Sequence, residues 1–98
     1  EAGADHAYRR LLELAPSHLH GHCQLGGLLM DQQRWDEAVA AFHRALTIDG
    51  DFAQAHYNLA LIHRRLGQQE LLRRHARRLL EVESADAAMR VRAREWLR

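Results

Sequence analysis

The chain has 98 residues, 47% of them hydrophobic, and a formal net charge of +1. This length suffices for one compact unit, which would bury roughly 60–70% of its unfolded-chain surface. Its hydrophobic runs are only a few residues long, so no transmembrane span is predicted and no signal peptide is visible. The single cysteine, Cys23, excludes an internal disulfide.

Charge is unevenly distributed along the chain. Residues 1–63 contain four arginines and eight acidic residues, whereas residues 64–98 contain ten arginines and five acidic residues. An excess of one sign can attract an acidic partner, and it can equally be a solvated surface. All fourteen basic residues are arginine, which suggests a GC-rich genome and favours a bacterial, cytoplasmic source.

Apolar residues recur at helical spacing along the chain, as at Leu59, Ile62 and Leu66. Alanine, leucine, arginine and glutamate are abundant, and β-branched residues are few, so helices are favoured throughout. Gly50 and Gly67 mark turns, while Ser17 and Asp51 occupy positions expected for helix caps. The pattern predicts six helices, in the order 3–14, 19–31, 35–48, 53–66, 69–82 and 87–97.

The sequence repeats itself at a constant step. The series His22-x2-Leu25-Gly26-x2-Leu29, followed by Ala38-x3-Phe42, recurs 34 positions later as His56-x2-Leu59-Ala60-x2-His63 and Leu72-x3-Ala76. Tyr8 and Pro16 lie one step before Phe42 and Gly50. This pattern resembles the tetratricopeptide repeat, a helix–turn–helix unit with the signature W-x2-L-G-x2-Y…A-x3-F…P.

The resemblance implies an all-α, right-handed α-solenoid of antiparallel helix pairs with about six helices. It covers residues 1–98 as a single domain. Residues 1–18 would be the second helix of a truncated repeat, 19–52 and 53–86 complete repeats, and 87–98 a C-terminal capping helix. Because the chain opens in mid-repeat, we expect it to be an excised segment of a longer protein.

Three core positions depart from the repeat pattern together. Leu72 and Leu79 replace small residues, and Ala76 replaces an aromatic residue. Two small-to-large changes around one large-to-small change roughly preserve volume, which protein cores tolerate best. The departures are therefore compatible with the same fold.

Solenoids of this family usually bind other polypeptides in a concave groove lined by the first helix of each repeat. The resemblance therefore implies a peptide-binding site. Its candidate residues include a polar side chain that can hydrogen-bond the peptide backbone, an aromatic ring, apolar side chains and cations. The candidate residues are Gln24, Gln54, Tyr57, Asn58, Leu61, Arg65, Val91 and Arg92.

Some members of the family grip the C-terminal carboxylate of a chaperone with lysine, asparagine and arginine side chains. Asn58 and Arg92 match two positions of that clamp, but Cys23, Gly27 and Ala88 stand where it needs two lysines and an asparagine. One carboxylate needs several charge-assisted donors. Capture of a chaperone tail is therefore not predicted.

Eight histidines raise the hypothesis of a metal site, with His18, His20 and His22 in the densest stretch. No carboxylate completes a ligand set there. His22 and His56 occupy the slot where the family has tryptophan, and His63 replaces its tyrosine, so we interpret them as aromatic fillers between helices. We predict no metal and no cofactor, and whether the His18–His22 stretch takes up a metal ion stays open.

The sequence gives less support to other classes of function. Cys23 has no positioned base, so no catalytic residue and no enzymatic activity are predicted. Four arginines form a ridge on the second helix of the last repeat, a helix that lies on the convex face in this family; they are Arg73, Arg74, Arg77 and Arg78. The near-neutral charge disfavours nucleic acid, and no membrane partner is predicted.

The sequence thus predicts a non-enzymatic, cytoplasmic protein–protein interaction module that binds a protein or peptide segment, with an acidic partner favoured by the arginine-rich half. The alternative is a structural scaffold or self-association segment of a larger protein, which could itself be enzymatic. A histidine-based metal site and nucleic-acid binding rank below both.

Overall fold

The computed structural model describes residues 9, 10, 13 and 18–98, and in this part of the chain all regular structure is helical. The helices are α1 (Leu19–Asp31), α2 (Trp35–Ile48), α3 (Ala53–Arg65), α4 (Gln69–Glu81) and α5 (Ala87–Trp96). The fold is an all-α helical repeat, as predicted. Each of these helices ends within one residue of its expected position.

The predicted first helix, 3–14, lies mostly outside the described residues, although Arg9, Arg10 and Glu13 are helical. Tyr8, Pro16 and Ser17 also lie outside them. Among residues 9, 10, 13 and 18–98, no helix has both the length and the hydrophobicity needed to cross a membrane.

The chain forms two compact units, residues up to Gly50 (unit 1) and Asp51–Arg98 (unit 2). In unit 1, α1 packs against α2. The buried residues of each helix recur at three- and four-residue spacing, which places one apolar face of each helix in a shared core. The core residues are Leu25, Leu29, Ala38, Ala41, Phe42 and Ala45.

In unit 2, α4 packs against both α3 and α5. Its core joins all three helices through Ala53, Ala76, Leu79, Val82, Ala85 and Ala93. Leu72, Ala76 and Leu79 are all buried, as the exchange of volume among these positions requires. The division of the chain into one domain with a capping helix stays a prediction.

The two helix pairs close with the same turn. In the first, the Arg34 amide donates to the Leu29 carbonyl at 2.8 Å; at the matching positions of the second, the Gln68 amide donates to the His63 carbonyl at 2.8 Å. Both turns contain a left-handed residue at the same place, Gln33 (φ 59°) and Gly67 (φ 73°). The step in the sequence is therefore a repeat of backbone geometry as well as of side chains.

Helix capping differs from the sequence prediction. Asp51 does not cap α3: Phe52 is the N-cap residue, without a side-chain bond, and the Asp51 carboxylate binds Arg78 instead. The Ser84 hydroxyl replaces the expected cap, accepting from the Ala53 amide at 3.1 Å and donating to the Asp51 carbonyl at 2.8 Å. A side chain from beyond the end of α4 thus satisfies an amide that no local side chain reaches.

The other two side-chain caps are local. His18 precedes α1, and its Nδ1 accepts from the Gly21 amide at 2.7 Å. Asp86 precedes α5, and its carboxylate accepts from the Met89 amide at 2.9 Å. An anionic cap at a helix N-terminus also interacts favourably with the helix dipole.

Candidate functional site

A groove of about 620 Å³ crosses one surface of unit 2. The end of α3, the start of α4 and the last turns of α5 form its walls. Three of its residues lie on one face of α5 at i, i+3 and i+4 spacing. The residues lining this unit 2 groove are Arg64, Gln69, Leu72, Arg92, Glu95 and Trp96.

Trp96 contacts Arg92 and Tyr57 at the α5 wall of the groove. The Arg92 guanidinium carbon lies 5.3 Å from the centre of the Trp96 ring, a distance at which a cation is attracted to the ring face. Arg92 Nε is 4.0 Å from Glu95 Oε1, and the Tyr57 ring centre is 5.7 Å from that of Trp96. These contacts hold a cation at the groove surface in a defined position.

The groove is lined by two arginines, one glutamate, one amide and an apolar floor. Arg64 is exposed and Arg92 is half-buried, on α3 and α5 respectively, while Leu72 is buried at the bottom. Gln69 opens α4 and offers both a donor and an acceptor. Such a surface can bind a carboxylate and pack an apolar group beside it.

The structure places the predicted site residues on three helices. On α3, Tyr57, Asn58 and Leu61 are half-buried, while Gln54 and Arg65 are exposed. Arg92 lines the unit 2 groove, and Tyr57 contacts it through Trp96.

Seven of the eight predicted residues, all except Arg92, are not among the described residues that line this groove. Val91 is 51% exposed and is not one of its lining residues. Gln24 is exposed on α1, in unit 1. The assignment of the eight residues to a binding site stays a prediction.

Five of the six described residues that line the groove are not among the eight predicted site residues: Arg64, Gln69, Leu72, Glu95 and Trp96. Trp96 follows Arg92 by one helical turn and so shares its face, which was a readable signal. Leu72 belongs to both the core and the groove floor, a double role that its helical register does not reveal.

Four histidines among the described residues are buried, and three of them, His56, His63 and His75, meet between α3 and α4. His22, His56 and His63 are all buried, as their interpretation as aromatic substitutes requires. His75 on α4, 7% exposed, was not foreseen. His56 Nδ1 lies 3.0 Å from His75 Nδ1. The rings of His63 and His75 stack, with their centres 5.5 Å apart and an angle of 5° between the ring planes.

The stretch from His18 to His22 was the candidate for a metal site. Within residues 9, 10, 13 and 18–98, no group of three or more histidine, cysteine, aspartate or glutamate side chains is arranged to hold a metal ion. His18 is exposed and caps α1 through Nδ1, whereas His22 is buried, so the two differ in access to a solvent ion.

The arginine ridge of α4 divides into two kinds of residue. Arg73, Arg74 and Arg77 are exposed and make no hydrogen bond or ion pair with the described residues. Arg78 is bound by Glu81 and by Asp51, and hydrogen bonds to these carboxylates raise its pKa. Only Arg78, among the four, therefore contributes polar contacts within the described part of unit 2.

Unit 1 contains a separate cavity of about 440 Å³. Apolar side chains of α1 and α2 form part of its wall, including the 40% exposed Ile48. Arg9 at its rim binds Glu37 at 3.0 Å. None of the eight predicted site residues is among the described residues that line this cavity.

A family model described as TPR repeat matches residues 26–67, from the middle of α1 to the turn after α3. This match identifies residues 26–67 as a segment of the TPR repeat family. Repeats of this family are, as a rule, protein–protein interaction modules that stack through neighbouring helix pairs.

Two curated relatives carry similar segments. The chain is 35% identical over 60 residues to the peroxisomal targeting signal receptor of Kluyveromyces lactis, a match that covers 61% of this chain and 11% of that protein. It is 31% identical over 80 residues to protein O-mannosyl-transferase TMTC3 of Homo sapiens, a match that covers 81% of this chain and 9% of that protein. The chain thus spans about a tenth of the length of the relatives that it matches.

Proposed function

We propose that this TPR segment is a non-enzymatic module that binds a peptide segment of a partner protein on the α3–α5 surface of unit 2. The observation that carries the proposal is the unit 2 groove, with Arg92 held over Trp96 beside a buried leucine floor. A concave surface that combines an apolar floor with few, well-positioned polar groups is the usual form of a binding site.

The groove chemistry favours a peptide with an acidic residue flanked by apolar residues. Arg64 and Arg92 supply two cations, and Arg65 follows Arg64 at the end of α3. Asn58 is half-buried on α3, outside the lining residues of the groove, and we assign it to the peptide backbone because its amide both donates and accepts hydrogen bonds. A partner with net negative charge would also be attracted by the arginine excess of residues 64–98.

Similarity to a protein named as a targeting signal receptor supports a polypeptide ligand. Similarity to the human transferase spans 9% of that protein, and we assign no transferase activity to the segment. Affinity should be weak, with Kd on the order of 10 μM to 1 mM, because so small a groove leaves little free energy after the cost of association.

The test uses a library of short peptides with a central Asp or Glu between Leu or Ile, and the same peptides with Lys at the centre. Chemical-shift mapping on the ¹⁵N-labelled chain should place the acidic peptides at Tyr57, Arg92 and the Trp96 indole N–H. The lysine peptides should leave these signals unchanged.

The matched variants separate the two arginine surfaces. Asn58→Ala with Arg92→Ala should abolish binding without unfolding the chain, while Arg73→Gln with Arg74→Gln and Arg77→Gln should leave binding intact. Shifts confined to residues 73–78, or no shift with any acidic peptide, would contradict the proposal.

A further inference from the structure

The contact between His56 and His75 joins α3 to α4 inside unit 2. The two Nδ1 atoms are 3.0 Å apart, and both side chains are nearly inaccessible to solvent. A hydrogen bond at this distance needs one donor and one acceptor. One ring must therefore carry its proton on Nδ1, and the other must leave Nδ1 unprotonated.

This arrangement limits how many protons the pair can hold while folded. A first added proton can enter at the outer nitrogen of the donor ring, where it strengthens the bond between the rings. A second would place N–H opposite N–H and set two cations side by side in a buried site, so the bond would break. The unfolded chain has no such limit, because each free imidazole takes up a proton below pH about 6.5.

We infer that the His56–His75 pair is a pH-sensitive link between α3 and α4, which stabilises unit 2 more at neutral pH than in acid. Well below pH about 6.5 the unfolded state binds about one proton more than the folded pair. Stability therefore falls as the pH falls, and the unfolding equilibrium constant rises about tenfold per pH unit once the difference is complete.

The charged and titratable side chains around the pair come from α3, α4 and α5. From α3, His63 stacks on His75, and its Nδ1 bonds Gln68 Oε1 at 2.7 Å. On α4, Arg74 is exposed, and Arg78 is engaged with Glu81 and Asp51.

The charged groups of α5 are also engaged or exposed. Arg90 donates to the Val82 carbonyl at 2.9 Å, while Arg92 and Glu95 face the unit 2 groove. Arg94 is exposed.

The experiment measures unfolding by urea in a Trp35→Phe background, so that Trp96 is the remaining tryptophan and reports on unit 2. His75→Asn is the informative variant, because an asparagine amide reaches the place of Nδ1 and cannot take up a second proton. Between about pH 6 and about pH 5, the unfolding constant of the parent should rise about tenfold more than that of His75→Asn. His43→Asn, at an exposed histidine of unit 1, should match the parent.

Nitrogen-15 spectra of the histidine rings give a second readout that needs no variant. At neutral pH, one ring of the pair should be protonated at Nδ1 and the other at Nε2. Equal pH dependence of the parent and His75→Asn would overturn the inference. So would spectra in which neither His56 nor His75 carries an Nδ1 proton.

Discussion

Gly26 lies directly against the ring of Phe42, across the interface between α1 and α2. A Cβ added at Gly26 would lie 2.7 Å from ring atoms Cε1 and Cζ, which is too close for carbon atoms that are not bonded to each other. Phe42 is fully buried, so its ring cannot move towards solvent. The repeat pattern places small residues at this slot, and the structure shows that ring contact as the reason.

Gly26→Ala should destabilise unit 1 relative to Gly27→Ala by about 1–3 kcal/mol, the usual cost of overpacking. The neighbouring glycine is the matched control, because a Cβ at Gly27 would meet nothing within 4 Å. Both changes gain the same helix propensity, so their difference isolates the clash. Urea unfolding followed by Trp35 fluorescence in a Trp96→Phe background measures it. Equal stability of the two variants would contradict the close packing of α1 and α2.

Ala60→Leu should destabilise unit 2 by about 1–3 kcal/mol. Ala60 occupies the slot of the second repeat that Gly26 occupies in the first, and it has no exposed surface. Ala88→Leu makes the same chemical change at an exposed position of α5 and should stay within about 0.5 kcal/mol of the parent. Thermal melting of both variants gives the comparison. An unchanged melting temperature for Ala60→Leu would count against the repeat register.

Gln33→Gly should stabilise unit 1 by about 1 kcal/mol, and Gly67→Gln should destabilise unit 2 by a similar amount. Both positions are left-handed, but glycine occupies only the second. A side chain is strained in that conformation, whereas glycine adopts it freely. Unfolding monitored separately by Trp35 and by Trp96 would assign each change to its unit. Effects of the same sign in the two variants would be inconsistent with the shared turn geometry.

Ser84→Ala should cost unit 2 about 1–2 kcal/mol, because the Ala53 amide at the start of α3 loses its hydrogen-bond acceptor. Thr47→Ala is the control, since the Thr47 hydroxyl donates to the His43 carbonyl on an exposed face of α2. Its removal should change stability by less than about 0.5 kcal/mol. Amide hydrogen exchange at the first turn of α3 should accelerate in Ser84→Ala alone. Unchanged exchange there would show that the serine is dispensable.

The helix bounds could be predicted within a residue because the repeat superposes the turn signals of the two helix pairs, and because each helix carries a regular apolar face. The cap of α3 could not, since Ser84 reaches it from the far end of α4. The His56–His75 contact was hidden for a related reason. Periodicity assigns His56 to a packing slot, but it does not say which side chain of the facing helix lies opposite.

The same distinction applies to the candidate site. Arg92 could be identified from its slot in the repeat, because the slot specifies a face of one helix. The contribution of Trp96 and Leu72 to the groove depends on how α3, α4 and α5 pack together. The residue pattern of a single helix does not contain this information.

The Ser84 hydroxyl bridges the Asp51 carbonyl and the Ala53 amide, so the chain leaves the α3–α4 pair beside the point at which it entered. Segments whose two ends lie close together tolerate insertion and circular permutation, because the new junction joins backbone that is already adjacent. The Ser84 bridge therefore marks residues 51–84 as a block that can be inserted or removed with little change to its interior.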